Sequence, residues 1–332
     1  MLRRARPWTL AGLLVAFSLL TAAACSDDDD DDEASGERAP GAEGSGDDDS
    51  GDGGGGLLAE VQDRGTLNCG VNETVPGFGL IDAEGNYAGF DIEFCKAVAA
   101  AVLGDAEAVE YTSLDADARF PALQSGEIDV LIRNTTHTAS RDGGEGARFL
   151  ATTFFDGQGM MVRADAGFAS VDDMNGTTIC VLQGTTTELN LATRFDSAGL
   201  TYTPLTFSDA EQIGEAFGAG QCDGWTSDLS QLAGVRSSFP EGPQALVIFD
   251  YAFSKEPLGP AVRHADDQWF DIVRWVHFVL LNAEELGVSK ANIDAQLRSD
   301  NPEIRRLLGV EGKAGEAFGL TNDFVVRIVK NV

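Results

Sequence analysis

The stretch Asp129-Val-Leu-Ile-Arg-Asn-Thr-Thr-His-Thr-Ala-Ser-Arg141 constrains this chain more than any other. It starts apolar enough to be a buried strand, since Val130, Leu131 and Ile132 can fill a sheet core. It ends as a polar loop holding Asn134, Thr135, Thr136 and Thr138, with Arg141 just beyond. In open α/β sheets, ligands bind outside the carboxyl ends of strands. Neutral hydrogen-bonding groups followed by one guanidinium suit a small anion such as a carboxylate. A polar loop with a solvated Arg would have the same composition, so the rest of the chain has to decide.

The flanking patterns make a β-α-β-α-β series. Thr66–Val71 reads as a strand. Phe90–Leu103 reads as a helix, with Phe90, Phe94, Ala97, Val98, Ala101 and Val102 at helical spacing before Gly104. Val109–Tyr111 is a second strand, Arg119–Gln124 a short helix, and the Asp129 strand follows. Such a series predicts a parallel sheet with helices on both faces. The pattern then restarts. Thr178–Leu182, Tyr202–Phe207 and Gln221–Trp225 read as strands. Capping boxes at Thr185-x-x-Glu188 and Ser208-x-x-Glu211 open the helices between them, and Ser227-Asp228 opens another. Trp269–Glu285 is the longest helix, and Trp225, Trp269 and Trp275 are expected in the core. Extended stretches near 157–163 and 249–257 would cross twice between the two units. The architecture is therefore two α/β lobes with a cleft between them. Phe324–Val332 opens a helix that no cap or glycine closes, which predicts a chain continuing past Val332.

The N-terminal part is of a different kind. Arg3, Arg4 and Arg6, the apolar run Leu10–Leu20 and Thr21-Ala-Ala-Ala24 read as a signal peptide over 1–24. Cys25 follows at once, an arrangement similar to a bacterial lipobox, so Cys25 is expected to be lipidated. Residues 26–56 hold 13 acids against one base, −12 of the chain's −31, and no large apolar residue. That composition predicts a disordered acidic tether over 25–56. The remaining −19 argues against nucleic acid as a partner. Four further cysteines, Cys69, Cys95, Cys180 and Cys222, suit disulfides in an exported chain. Three pairings are possible, and the order of strands and helices favours Cys69–Cys95 and Cys180–Cys222. None has CxxC spacing, so neither a metal nor a cofactor is expected.

Gly89-Phe-Asp-Ile-Glu-Phe-x-x-x-Val-Ala-x-x-Val102 resembles the signature of family 3 solute-binding proteins of ABC amino-acid importers. Arg133-Asn-Thr-Thr136, Asp156-Gly-Gln-Gly159, Gly184–Asn190, Ser254–Pro260 and Asp266–Trp275 resemble its general L-amino-acid-binding subgroup. The resemblance spans nearly all of 57–332. It implies the two-lobed periplasmic-binding-protein fold of type II, two Rossmann-like lobes joined by two hinge crossings. Residues 57–160 with 252–332 would form lobe 1 and 161–251 lobe 2.

It also implies a site. Arg141 would clamp the ligand carboxylate, helped by Thr186 at a helix start. Asp228 would accept from the ligand ammonium, and Asn134, Thr136 and Asn72 would complete the contacts. Val75 and Ala116 are small where members selective for large cationic side chains carry aromatics, and Asn72 is neutral where they carry an acid. That predicts broad binding of polar and neutral L-amino acids. The implied partners are the amino acid, the ABC permease subunits and the membrane reached through the lipid, with the protein a monomer. A periplasmic dehydratase-like enzyme of the same fold would need an acid/base carboxylate besides the clamp, and Asp228 is the one clear candidate. A sensory amino-acid-binding protein is the other alternative.

Overall fold

The computed structural model describes residues 56–332. The expected signal peptide, Cys25 and the tether up to residue 55 lie outside the described residues.

Two five-stranded sheets organise the described residues. The first runs, in spatial order, Val109–Ser113, Leu67–Val71, Val130–Leu131, Ala261–Arg263 and Ala147–Phe149. Its first three strands are parallel, with Cys69 opposite both Tyr111 and Val130. The second runs Tyr202–Phe207, Thr177–Leu182, Gly224–Asp228, Gln158–Arg163 and Leu246–Ile248. Here too the first three are parallel, and Gln158–Arg163 is antiparallel to both neighbours.

Each sheet is therefore mixed, which corrects the expected parallel one. Ala261–Arg263 enters the first sheet antiparallel, between Val130–Leu131 and Ala147–Phe149. Both late arrivals reach their sheet straight from a crossing, and a parallel strand would need a crossover helix. The crossings themselves are the paired strands Phe154–Asp156 and Glu256–Leu258, with Asp156 opposite Glu256. Strand Gln158–Arg163 runs through the lobe boundary expected at 160 and belongs wholly to the second sheet.

The first core packs its sheet against helices that include Leu57–Arg64, Phe90–Leu103, Asp267–Glu285 and Phe324–Asn331. Trp269 is buried there, and its Nε1 donates to the Asp129 carbonyl at 3.0 Å. Truncating it to Ala would cost about 3–5 kcal/mol. Gly89 starts Phe90–Leu103 at φ 135°, where a Cβ would run into the Phe78 carbonyl. Trp225 is buried in the second core. Trp275 departs from expectation, being 38% exposed. Its ring lies beside those of Phe278 and Phe318, 5.7 and 6.1 Å between ring centroids.

Disulfide Cys69–Cys95 ties strand Leu67–Val71 of the first sheet to helix Phe90–Leu103. Disulfide Cys180–Cys222 ties strand Thr177–Leu182 to the turn before Gly224–Asp228. This is the pairing favoured by the order of elements. The second expected capping box is not formed. Asp209 is the N-cap of Ala210–Gly218 and accepts from the Gln212 amide at 2.9 Å. A carboxylate is the stronger acceptor there, and Ser208 instead takes the Gln212 side chain at 3.4 Å.

Candidate functional site

Strands from both sheets end at one cavity, and Arg141, Thr136, Asn134, Asn72, Thr186 and Asp228 all line it. Its volume is about 30 Å³, well below the ~300 Å³ and more of ordinary small-molecule pockets. The walls nearly touch. The Thr136 and Thr186 hydroxyls are 3.4 Å apart across it. Arg119 Nη2 donates to the Gly184 carbonyl at 3.4 Å, and Gln183 Nε2 to Asp117 at 3.2 Å. An amino acid can enter only if the walls part.

The first wall is the polar loop after Val130–Leu131. Asn134 sits at φ 31°, a left-handed conformation that Asn tolerates better than most residues. Its amide donates to buried Asp91 at 2.6 Å, which anchors the loop on helix Phe90–Leu103. Its side-chain oxygen accepts from Asn72 Nδ2 at 3.2 Å. Thr138 caps the next helix, Ala139–Gly144, accepting from the Arg141 amide at 3.3 Å. Arg141 is buried at 7% exposure, and its Nη1 donates to the Thr136 carbonyl at 2.8 Å. One donor is spent on aiming the guanidinium, and the others remain for a ligand. His137, half-buried, stacks on Phe149 at 4.6 Å.

The second wall starts helix Thr186–Ala198. Thr185 is its cap, accepting from the Glu188 amide at 3.2 Å, while Glu188 reaches back to the Gly184 amide at 3.0 Å. Thr186 is thereby released from capping and turns into the cavity. Asp228 ends strand Gly224–Asp228 and stands before helix Leu229–Ser237, yet its side chain makes no capping bond. Its carboxylate is left to face the cavity.

The electrostatics follow from burial. Desolvation, then the nearby acids Asp156 and Glu256, push Asp228 up to about 8, against a hydrogen bond from Asn134 and the charge of Arg119. An ammonium beside it would reverse that shift. Burial pulls Arg141 below its usual value, opposed by Glu256, Asp228 and Glu145.

Several charged residues here escaped the sequence reading. Glu256, on the second crossing, is buried and accepts from Thr186 Oγ1 and Asn190 Nδ2, both at 2.9 Å, and from Ser254 Oγ. It ties the crossing to the second wall. Arg119 and Arg133 line the cavity as well. Arg133 is engaged, its Nε donating to the Leu114 carbonyl at 2.6 Å with Asp115 and Asp91 nearby. Among the described residues, no cluster of three His, Cys, Asp or Glu is placed to hold a metal ion. No helix among them is long and apolar enough to cross a membrane.

Known proteins share this architecture. The chain is 49% identical over 277 residues to the general L-amino acid-binding periplasmic protein AapJ of Rhizobium johnstonii, covering 83% of this chain and 81% of that one. It is 50% identical over 273 residues to the glutamate/glutamine/aspartate/asparagine-binding protein BztA of Rhodobacter capsulatus, covering 82% and 80%. A periplasmic binding protein of an ABC transporter from Brucella ovis, solved with glutathione bound, superimposes with a TM-score of 0.80 at 46% identity, covering 83% and 87%. Residues 67–308 match the family model for bacterial extracellular solute-binding proteins, family 3, and the chain belongs to that family.

Proposed function

We propose that this protein captures L-amino acids between its two sheets and delivers them to an ABC permease. The observation that carries the reading is the placement of Arg141 and Asp228 on opposite walls of one cavity. An amino acid presents a carboxylate and an ammonium on one carbon. Arg141, with Thr186 and Thr136, takes the carboxylate. Asp228, with Asn134 and Asn72, takes the ammonium. Closing the walls with a zwitterion pairs both charges, and closing them without one desolvates both at a cost. The permease can thereby tell loaded protein from unloaded.

The lobes divide at the paired crossings Phe154–Asp156 and Glu256–Leu258, so that strand Gln158–Arg163 goes with the second lobe. Hinge motion takes place on Phe154–Asp156 and Glu256–Leu258. Val75 lines the cavity as a small side chain and Ala116 an adjoining one, which supports broad binding of polar and neutral amino acids. Cys25, lipidated, holds the protein as a monomer on the outer face of the cytoplasmic membrane, with the acidic segment as tether. The relatives above are binding proteins, and an ammonium accounts for Asp228 without an acid/base step, so no turnover is expected. A thermal-shift screen against the twenty amino acids tests the reading. A ligand at 100 times its Kd stabilises by about 2.7 kcal/mol. No shift with any of them would overturn it.

A further inference from the structure

Glu256 is a buried acid to which the capture of an amino acid assigns no contact. It lies on the second crossing and is 1% exposed. Three neutral donors converge on it. Thr186 Oγ1 donates to Oε2 at 2.9 Å, while Asn190 Nδ2, at 2.9 Å, and Ser254 Oγ both donate to Oε1. The backbone of the same crossing holds the first wall. Thr136 pairs with Leu258, the His137 amide donates to the Pro257 carbonyl at 2.8 Å, and the Gly259 amide to the Thr135 carbonyl at 3.0 Å. From that footing the Glu256 carboxylate reaches across to the second wall.

The bond to Thr186 fixes a direction. A hydroxyl has one proton, and a carboxylate only accepts. The Thr186 proton therefore lies on the bond to Glu256, and Thr186 presents a lone pair to the cavity. The Thr136 hydroxyl, 3.4 Å across the cavity, is then the donor of that pair. A ligand carboxylate has Arg141 and the N–H groups at the start of helix Thr186–Ala198, which lack intrahelical partners. A ligand ammonium has three protons. Asp228 takes one, and the lone pair of Thr186 suits another. A ketone at the same carbon carries acceptors only, and would set lone pair against lone pair.

We infer that Glu256 is a positioning residue: it holds the Thr186 hydroxyl as an acceptor towards the cavity, so that the site selects an α-ammonium over an α-ketone. This rests on the amino-acid reading of the cavity and deepens it. Glu256→Gln reverses the direction with little change of shape. Two donors already meet at Oε1, so the Gln oxygen stays with Asn190 and Ser254 and its Nε2 turns to Thr186. The Thr186 proton then swings into the cavity.

Calorimetry with L-glutamate, and with 2-oxoglutarate read by displacement, tests the inference, because the two differ only at the α-carbon. Glu256→Gln should weaken glutamate and lower the glutamate-to-2-oxoglutarate affinity ratio by about tenfold or more, the worth of a hydrogen bond to a charged group. A loss of packing would weaken both ligands alike and leave the ratio unchanged. Thr186→Val, which leaves Glu256 in place, should lower the ratio by a similar factor, and this arm stands even if Glu256→Gln does not fold. Adding Glu256→Gln to Thr186→Val should move the ratio by less than about threefold, since the two act through one hydroxyl. A ratio unchanged in either single variant, or two factors that multiply in the double variant, would overturn this inference alone. Failure of wild type to bind glutamate or any other amino acid would overturn the amino-acid reading together with it.

Discussion

Asp228→Asn separates two costs that the wild-type cleft carries together, burying a carboxylate and binding an ammonium. With the walls closed, Asp228 titrates at about 8, against its ordinary 3.8 in water. Closing over the ionised form therefore costs roughly 6 kcal/mol, at about 1.4 kcal/mol per pH unit. Protonation relieves most of that cost at low pH. A carboxylate whose value rises on burial favours the closed form fully below 3.8, and loses that contribution as pH climbs through about 8. Closure without a ligand should thus be easier at pH 5 than at pH 8 by about 4 kcal/mol, several hundred-fold. An amino acid restores the ionised form through its ammonium, so liganded closure should hardly vary over that range. Small-angle scattering of the amino-acid-free protein reads this directly. The wild type should contract as pH falls from 8 to 5. Asp228→Asn should be closed to the same degree throughout, which also separates Asp228 from Asp91, whose buried carboxyl is raised to about 6. A wild type whose dimensions ignore pH, or an Asn variant that keeps the wild-type dependence, would refute the reasoning.

Other perturbations give distinct readouts. Arg141→Ala should weaken every amino acid about 30-fold or more, from a loss of about 2 kcal/mol, and calorimetry that returns wild-type affinity would mean the clamp lies elsewhere. The disulfides close spans of 26 and 42 residues; removing either should cost about 3.5–4 kcal/mol in the chain-entropy account, and a denaturation midpoint indifferent to both Cys→Ser pairs would contradict it. Cys25→Ser should release the protein from membranes or leave an uncleaved precursor, and an unchanged membrane fraction and mass would remove the lipid anchor from the account.

How much of this was legible in the sequence depends on the signal each residue gives. The strand-to-loop switch at Val130–Arg141 shows as an abrupt change of composition, and the helices Phe90–Leu103 and Asp267–Glu285 show as helical periodicity. The mixed character of the sheets does not show. Ala147–Phe149 and Ala261–Arg263 have three residues each, too few for a period of two, and their pairing is long-range. The six candidate site residues came from motif positions, and they line one cavity. Arg119 and Glu256 gave no such signal. Arg119 opens a helix where a surface Arg would look the same, and Glu256 falls in a stretch read only as an extended crossing, where nothing in its spacing marks a buried acid. Both are nonetheless buried. Trp275 erred in the opposite direction, because Trp in a periodic helix reads as core while its position there faces outward.

A crystal structure of the protein with bound L-glutamine tests the central claim most directly. The account predicts the ligand between the two sheets, its carboxylate on Arg141 and Thr186 and its ammonium against Asp228. A ligand bound elsewhere, or lying in this cavity with its carboxylate away from Arg141, would contradict it.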